Sequence, residues 1–235
     1  MWCIAEYEAV TLFSLKLSTA TASGGKTLLV PTPYALKMAL LDATCRTVGV
    51  AQAEARWPVI RDLRVSLLPA KRAVVMNLFQ KVLKPRRSAA KAEDPNSGPF
   101  QKTIGYREYV QLYGPWQLAL GWDTEQDYPW LEELLFNISY LGKRGGFVQL
   151  MDKPRQETTL PPGFIELSAT PETFAFQGTL QILDDCAPNL TFAKANIYSK
   201  KRVTMGKERI TRNVVLPYRM VRSSKSFSYY ERISG

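Results

Sequence analysis

Histidine is absent from this chain of 235 residues, and its absence excludes several kinds of catalytic site. Without histidine, the chain has no Ser-His-Asp triad, no Cys-His nucleophile pair and no His-ligated metal site. It also lacks the side chain most often used for general acid-base catalysis near neutral pH. The sequence therefore favours a binding function over an enzymatic one.

Long apolar runs and cysteine motifs are missing as well. No apolar run reaches the roughly 18 residues that a membrane-spanning helix needs, and Glu6 and Glu8 stand where a signal peptide would be basic and then apolar. The three cysteines, Cys3, Cys45 and Cys186, are far apart and form no C-x-x-C motif, which predicts buried thiols rather than disulfides or a zinc site. We therefore expect a cytoplasmic protein without membrane contact, metal or cofactor.

Positive charge is abundant, with a net charge of +10, and it is concentrated in two segments. Residues 64–112 hold ten Lys and Arg against three acids, and residues 194–232 hold eleven against two, so the remainder of the chain is net negative. This segregation predicts a surface that binds a polyanion, whereas a generic basic surface would intersperse the two signs. Aromatic residues in these segments suit base stacking, or equally a core: Phe100, Tyr106, Tyr109, Tyr113, Tyr198, Tyr218, Phe227, Tyr229 and Tyr230.

The first half of the chain predicts one strand, one helix and three further strands. Residues 2–17 have the β-branched and aromatic content of a strand. Thr32 as N-cap, Pro33 at the first helical position and Gly49 after the last predict a helix from Pro33 to Val48. Residues 63–83 contain two short strand-like runs, and residues 106–120 predict another strand.

A long insertion and a second helix complete this half. Residues 84–105 contain three prolines and two glycines, which predicts a structureless insertion of a length typical of functional loops. Asp127 as cap and Pro129 predict a second helix that ends at Gly142, and residues 147–151 predict a strand.

This order of elements predicts an α+β fold. The arrangement β-α-β-β-α-β is that of a ferredoxin-like domain, here over residues 1–152, with both helices on one face of a single antiparallel sheet and the other face available. Short strand-like runs without helical period predict a smaller β-rich region over residues 153–235.

Two familiar site patterns are incomplete. Residues 25–27 read Gly-Lys-Thr as in a phosphate-binding P-loop, but Ala20 replaces its first glycine and no helix pattern follows directly. We therefore predict a flexible loop there. Asp184 and Asp185 are adjacent, which predicts a turn that ends a strand rather than a catalytic carboxylate pair.

Three glycines surround two cations in the sequence YLGKRGGFVQL, residues 140–150. A helix C-cap followed by a flexible turn accounts for Gly142. It does not account for Gly145 and Gly146, because glycine is costly to order wherever its conformational freedom is not needed. The pattern therefore suggests a junction that needs these glycines for a further reason, with Lys143 and Arg144 between them.

Taken together, three segments resemble the Cas-five family of CRISPR-associated RAMP proteins. They are VPTPYALKMALLDA at 30–43, the insertion at 84–105 in the place of the family's thumb, and LLFNISYLGKRGGFVQL at 134–150, similar to the family's helix, glycine-rich loop and strand. The resemblance covers residues 1–151 and is weak beyond them. Other RAMP families, including backbone and RNA-processing subunits, share the fold and the loop.

The resemblance implies an RNA-binding subunit of a CRISPR Cascade surveillance complex. Such a subunit binds the 5′ handle of CRISPR RNA, caps a filament of repeated backbone subunits and helps to seat the large subunit, so that target DNA is reached only through the complex. One alternative is a RAMP endoribonuclease that processes precursor RNA, for which Tyr106 with Lys102 would have to supply the acid-base pair. Another is a generic nucleic-acid-binding accessory protein.

The candidate RNA contacts fall into three groups. The insertion and the strand after it contribute Lys84, Arg86, Arg87, Lys91, Lys102, Tyr106 and Arg107, the glycine-rich stretch contributes Gly142, Lys143, Arg144, Gly145 and Gly146, and Lys26 and Lys37 lie outside both.

Overall fold

Antiparallel strands dominate the structure and are combined with helices in a mixed α/β fold. The computed structural model describes residues 1–17, 24–86, 98–123, 126–142, 145–169 and 177–233. The strands are β1 (Trp2–Ala9), β2 (Gly24–Gly25), β3 (Arg64–Leu68), β4 (Arg72–Pro85), β5 (Phe100–Tyr113), β6 (Trp116–Gly121), β7 (Val148–Leu150), β8 (Arg155–Glu157), β9 (Ile165–Glu166), β10 (Thr179–Cys186), β11 (Arg209–Leu216), β12 (Tyr218–Ser223) and β13 (Phe227–Arg232). The helices are α1 (Pro33–Val48), α2 (Val50–Asp62), α3 (Trp130–Phe136) and α4 (Phe192–Ala195).

The first sheet has the strand order β7-β1-β6-β3-β9, and β8 also pairs with β1. All of its pairs are antiparallel. Tyr7 on β1 stacks on Trp116 and donates a hydrogen bond to the carbonyl oxygen of Leu135 at 2.6 Å, which joins the sheet to α3. The opposite face is not open as expected, because Leu160 and Phe164 pack there against a buried cluster that includes Ile4.

Helix α1 has the predicted bounds, and Thr32 Oγ1 accepts its capping bond from the backbone N–H of Ala35 at 3.1 Å. Gly49, at φ 85°, ends α1 as predicted, and a second helix, α2, follows directly. Sequence analysis did not predict α2. Its buried residues Ala53, Trp57 and Ile60 recur at helical spacing, but Pro58 inside the helix conceals the pattern.

Helix α3 is shorter than predicted. It begins at Trp130, and Asp127 does not cap it. It ends at Phe136, where Asn137 donates to the carbonyl oxygen of Glu133 from both its backbone N–H, at 3.2 Å, and its side-chain amide, at 2.8 Å. None of the helices in the described ranges combines the length and apolar character needed to cross a bilayer.

The second sheet has the order β12-β13-β4-β5-β2 and corrects two predictions. Residues 84–85 and 100–105, predicted as part of a structureless insertion, lie in β4 and β5, which pair from Arg72–Tyr113 to Pro85–Phe100. The strand predicted at 106–120 is divided between β5 and β6, which belong to different sheets. Gly114 makes the turn between them at φ 82°, a conformation that favours glycine.

The β-rich second half shares both sheets with the first. β8 and β9 join the first sheet, and β13 pairs with β4 in the second. β10 and β11 form a two-stranded sheet next to α1. The region predicted as β-rich also contains a short helix, because α4 forms after Thr191.

A buried ion pair fixes α1 to β10. Lys37 Nζ lies 2.8 Å from Asp185 Oδ1, and both side chains are 3% exposed. The backbone N–H of Cys186 donates to the same oxygen at 2.7 Å, and Arg212 Nε lies 3.5 Å from Asp185 Oδ2. Two predictions are corrected here: Lys37 is not accessible to RNA, and Asp184 and Asp185 lie within a strand rather than in a turn.

We expect Lys37→Ala to lower the free energy of unfolding by about 3 kcal/mol, because the buried Asp185 carboxylate would lose its closest cation. Lys26→Ala is the matched control, since Lys26 is exposed and its truncation should change stability by less than about 0.5 kcal/mol. Denaturant unfolding measures both variants. Equal stability of the two would show that the ion pair does not hold α1 in place.

Candidate nucleic-acid interface

The outer half of the β4–β5 hairpin extends beyond the rest of its sheet. β13 pairs with β4 only as far as Met76, and β2 pairs with β5 only at Tyr106 and Arg107. Among the described residues, β2 is the one further strand that pairs with residues 78–85 of β4 or 100–107 of β5, and it reaches only Tyr106 and Arg107. We call these two stretches the ribbon. Within the described part of the chain it is two-stranded up to Gly105, and none of its residues is buried.

One face of the ribbon carries a mixture of aromatic, aliphatic and lysine side chains. Cross-strand register places Phe79 opposite Tyr106, whose ring centroids are 5.2 Å apart in an edge contact. Tyr106 is 63% exposed and Phe79 is 51% exposed, unusual values for rings on a strand. We call this the aromatic face; it consists of Phe79, Lys81, Leu83, Pro85, Phe100, Lys102, Ile104 and Tyr106, all exposed.

The structure divides the predicted contacts of the insertion between two faces. Lys102 and Tyr106 lie on the aromatic face, whereas Lys84 and Arg107 lie on the opposite face. Arg86 follows β4, and its backbone N–H donates to the carbonyl oxygen of Pro99 at 3.0 Å. Two further predicted contacts, Arg87 and Lys91, lie outside the described residues.

Sequence analysis missed Phe79 and Lys81 as candidate contacts. The signal was present, because Phe79, Lys81 and Leu83 alternate with period two like the side chains on one face of a strand. The prolines that follow these residues instead favoured the prediction of a loop. Only the strand register shows that these residues share a face with Lys102 and Tyr106.

Tyr106 and Lys102 are not brought together as an acid-base pair. They lie four residues apart on β5, which separates their Cα atoms by about 13 Å, and Ile104 lies between them. The Tyr106 ring instead contacts Phe79.

The glycine-rich stretch forms a closed turn, which we call the glycine loop (residues 141–146). A bridge between Tyr140 and Phe147 closes it, and the backbone N–H of Leu141 donates to the carbonyl oxygen of Gly146 at 2.9 Å. Gly142 and Gly145 have φ values of 70° and 112°, which explains the need for glycine at both positions. Lys143 and Arg144 lie outside the described residues.

Gly146 has a packing role rather than the predicted contact with RNA. The residue is buried. A Cβ atom here would lie 2.8 Å from Phe13 Cδ1 and 2.9 Å from the carbonyl oxygen of Leu141. No side chain fits this space without displacing a neighbour, so Gly146 allows the Phe13 ring to approach the loop.

The segment Val10–Phe13 joins the glycine loop to the inner end of the hairpin. Phe13 exchanges two backbone hydrogen bonds with Val110 on β5, at 2.8 and 2.7 Å. Thr11 Oγ1 donates to the carbonyl oxygen of Gly145 and accepts from the backbone N–H of Phe147 at 3.0 Å. The loop and the hairpin therefore lie in a fixed relation to each other.

Lys26 lies beside the base of the ribbon. It directly follows β2, where Gly25 pairs with Arg107, and the backbone N–H of Thr27 donates to Glu108 Oε2 at 2.8 Å. Lys26 is exposed and therefore available to an anion.

Part of the second basic segment is neutralised internally. Arg209 bonds to Asp184, Arg212 lies beside Asp185, and Lys194 Nζ lies 2.5 Å from Glu208 Oε1. The segment therefore offers less free charge than its composition suggests.

The chain is similar in sequence to a known CRISPR-associated protein. Over 114 residues the chain is 28% identical to the CRISPR-associated protein Cas5 of Archaeoglobus fulgidus. The resemblance to Cas5 is confirmed. The match covers 48% of this chain, and the chain spans about half the length of this Cas5 relative. No protein-family model matches the chain.

Two solved structures align with the chain over most of its length. A CRISPR protein from Archaeoglobus fulgidus is 11% identical with a TM-score of 0.47, and the alignment covers 99% of this chain and 92% of that protein. A chain from a CRISPR RNA-guided surveillance complex is 12% identical with a TM-score of 0.47, and the alignment covers 99% and 89% of the two chains.

We expect Gly146→Ala to destabilise the protein by about 1–3 kcal/mol, because the added methyl group would overlap the Phe13 ring and the Leu141 carbonyl group. Gly105→Ala is the control, since a Cβ atom there meets nothing within 4 Å. The thermal unfolding midpoint of each variant measures the difference. A Gly146→Ala midpoint no lower than that of Gly105→Ala would exclude the packing role.

Proposed function

We propose that the protein is an RNA-binding subunit of a CRISPR Cascade surveillance complex and holds the 5′ handle of CRISPR RNA. The Cas5 relative supports a CRISPR-associated role. The aromatic face supports a contact with single-stranded RNA, and it is the observation on which the proposal mainly rests. The proposed role is binding without catalysis.

The aromatic face has the chemistry that a single strand requires. Unpaired bases stack on aromatic rings whatever their sequence, and lysines beside the rings neutralise the phosphates that link those bases. Phe79 and Tyr106 supply adjacent rings, and Lys81 and Lys102 lie on the same face. A purely protein-binding face would gain little from lysines, which are depleted at the centres of such interfaces.

The topology of the first sheet supports a ferredoxin-like domain with the ribbon as its thumb. Read along the chain, β1, α1, β3, β6, α3 and β7 give the order β-α-β-β-α-β, with α2 added after α1. The β4–β5 hairpin is inserted between β3 and β6, so it leaves the domain at one point. This position allows it to reach an RNA strand without disturbing the sheet.

The remaining parts of the proposed role concern partners. The subunit caps a filament of repeated backbone RAMP subunits and helps to seat the large subunit, and it reaches target DNA only through the assembled complex. The exposed aliphatic residues Leu83 and Ile104 on the aromatic face are suited to pack against a neighbouring subunit once RNA covers the rings.

The RNA recovered with the protein from its native source tests the proposed function. Because handle binding selects one end of the guide, we expect the recovered molecules to share a uniform, repeat-derived 5′ end. Sequencing of that RNA provides the measurement. Recovery of RNA with heterogeneous 5′ ends would exclude the handle-binding role.

A ribbon variant tests the proposed interface. We expect Lys81→Ala combined with Lys102→Ala to weaken binding of a short unstructured RNA. The slope of log K against log salt should become shallower by about 1.4, because each phosphate contact to a single strand contributes roughly 0.7. Fluorescence anisotropy over a salt series measures both effects.

The control for this variant keeps the same change in charge. Lys153→Ala combined with Lys207→Ala removes two exposed lysines outside the ribbon. The control should leave the slope near that of the unmodified protein. If the two double variants behave alike, the effect is one of net charge and the ribbon is not the interface.

A further inference from the structure

A cavity of about 420 Å³ lies beside α1 and next to the glycine loop. Residues 34–46 of α1 form one side, Leu15 and Lys16 form another, and residues 195–198 form a third. Gly142 is part of the lining. The volume lies in the range of about 300–1,000 Å³ that is typical of small-ligand sites.

The cavity combines apolar walls with an exposed rim. Tyr34, Met38 and Ala39 on α1 supply apolar surface. Ile197 and Tyr198, which are 76% and 77% exposed, lie at its edge. Such a site accepts a flat apolar ring from solvent, and an exposed tyrosine beside it is suited to cover that ring.

Three cations also line the cavity. The Arg209 guanidinium lies 4.1 Å from the centre of the Tyr34 ring and bonds to Asp184, and Arg46 bonds to Asp42. Lys16 is exposed and forms no ion pair within the described part of the chain. An anionic group at the mouth of the cavity would therefore find at least one free cation.

Asp42 supplies a hydrogen-bond acceptor. Arg46 Nε lies 2.9 Å from Asp42 Oδ2, and Tyr140 Oη lies 3.5 Å from the same oxygen. The other carboxylate oxygen, Oδ1, accepts no hydrogen bond from the residues that the structure describes. A carboxylate held in this way accepts a bond from an amino group and repels a carbonyl oxygen.

We propose that this cavity binds one unstacked nucleobase that carries an exocyclic amino group, with Asp42 as its acceptor. The inference rests on the proposed RNA-binding function and adds base selectivity to it. The base belongs to the strand that passes the glycine loop, and its phosphate lies near Lys16. Stacking on an aromatic ring and bonding at the base edge is the usual means of reading single-stranded RNA.

The alternative occupant is an apolar side chain from a partner protein. Such a side chain would fill the volume but would bury Asp42 without a donor for Oδ1, and burial of an unpaired polar group is costly. The chemistry of the lining therefore favours the base.

Cys45 provides a native reporter of occupancy. It lines the cavity and is partly exposed, although burial raises the pKa of its thiol. The other two thiols, Cys3 and Cys186, are buried, and burial raises the pKa of each to about 12. Because the thiolate is the reactive form, a maleimide at mildly alkaline pH should modify Cys45 well before the other two.

The test measures how oligocytidylate and oligouridylate slow the alkylation of Cys45 by N-ethylmaleimide. The two RNAs differ at the base edge, where cytosine has an amino group and uracil has a carbonyl oxygen. We expect oligocytidylate to protect Cys45 at a concentration about fivefold or more lower than oligouridylate does. Asp42→Asn should reduce this difference, because an amide can rotate to donate to uracil as well as accept from cytosine.

Asp62→Asn is the matched control. Asp62 is exposed, bonds to Arg61 and lies outside the cavity, so its replacement should leave the preference for cytosine intact. Equal protection by the two RNAs, or a preference that survives Asp42→Asn, would overturn the base site. So would protection of Cys45 by a protein partner but not by RNA.

Anisotropy with the same RNAs separates this inference from the proposed function. RNA that binds without protecting Cys45 would overturn the base site and leave RNA binding in place. If neither RNA binds the purified protein, both proposals fail.

Discussion

The contact between the Phe13 ring and Gly146 is the constraint on which the candidate interface depends. Phe13 is fully inside the core and is bonded through its backbone to Val110, so it holds the inner end of the β4–β5 hairpin. The same ring occupies the space that a side chain at position 146 would need. Two segments far apart in sequence, the ribbon and the glycine loop, thereby share one support.

The buried ion pair between Lys37 and Asp185 supports the cavity beside α1 in a similar way. Lys37 lies on the buried side of α1, and its bond to Asp185 fixes that helix against β10. Asp42, Cys45 and Arg46 lie on the same helix and face the cavity. A shift of α1 would move all three together, so the shape of the cavity depends on a contact that no ligand touches. The usual cost of burying two charges is offset because the Asp185 carboxylate also has a backbone donor and Arg212 nearby.

Local signals in the sequence predicted α1 correctly, although Asp127 does not cap α3 as its position suggested. Thr32, Pro33 and Gly49 define α1 correctly because caps act through their own neighbours. Lys37 appeared to be a free cation because its partner lies 148 residues away, and no local pattern reveals such a pair. The need for glycine at position 146 likewise comes from Phe13, a distant residue. The aromatic face was not predicted for a third reason. The sequence shows its residues, but only the pairing register of β4 and β5 shows that they lie on the same face.

The proposed RNA contacts differ in what they would contribute. Lysines on the exposed ribbon act through phosphate charge, which salt screens and which is the same for every sequence. The cavity would act through the Asp42 carboxylate and apolar walls, where the interaction depends on the base edge and weakens little with salt. The ribbon continues from the part of the hairpin that Phe13 holds, and the cavity lies beside α1. An RNA strand bound to the ribbon would therefore present a base to the cavity at a defined position. The ribbon would then supply most of the affinity for RNA, and the cavity would supply the selectivity for a base. A subunit whose exposed hairpin has little sequence preference would in this way still recognise one end of an RNA.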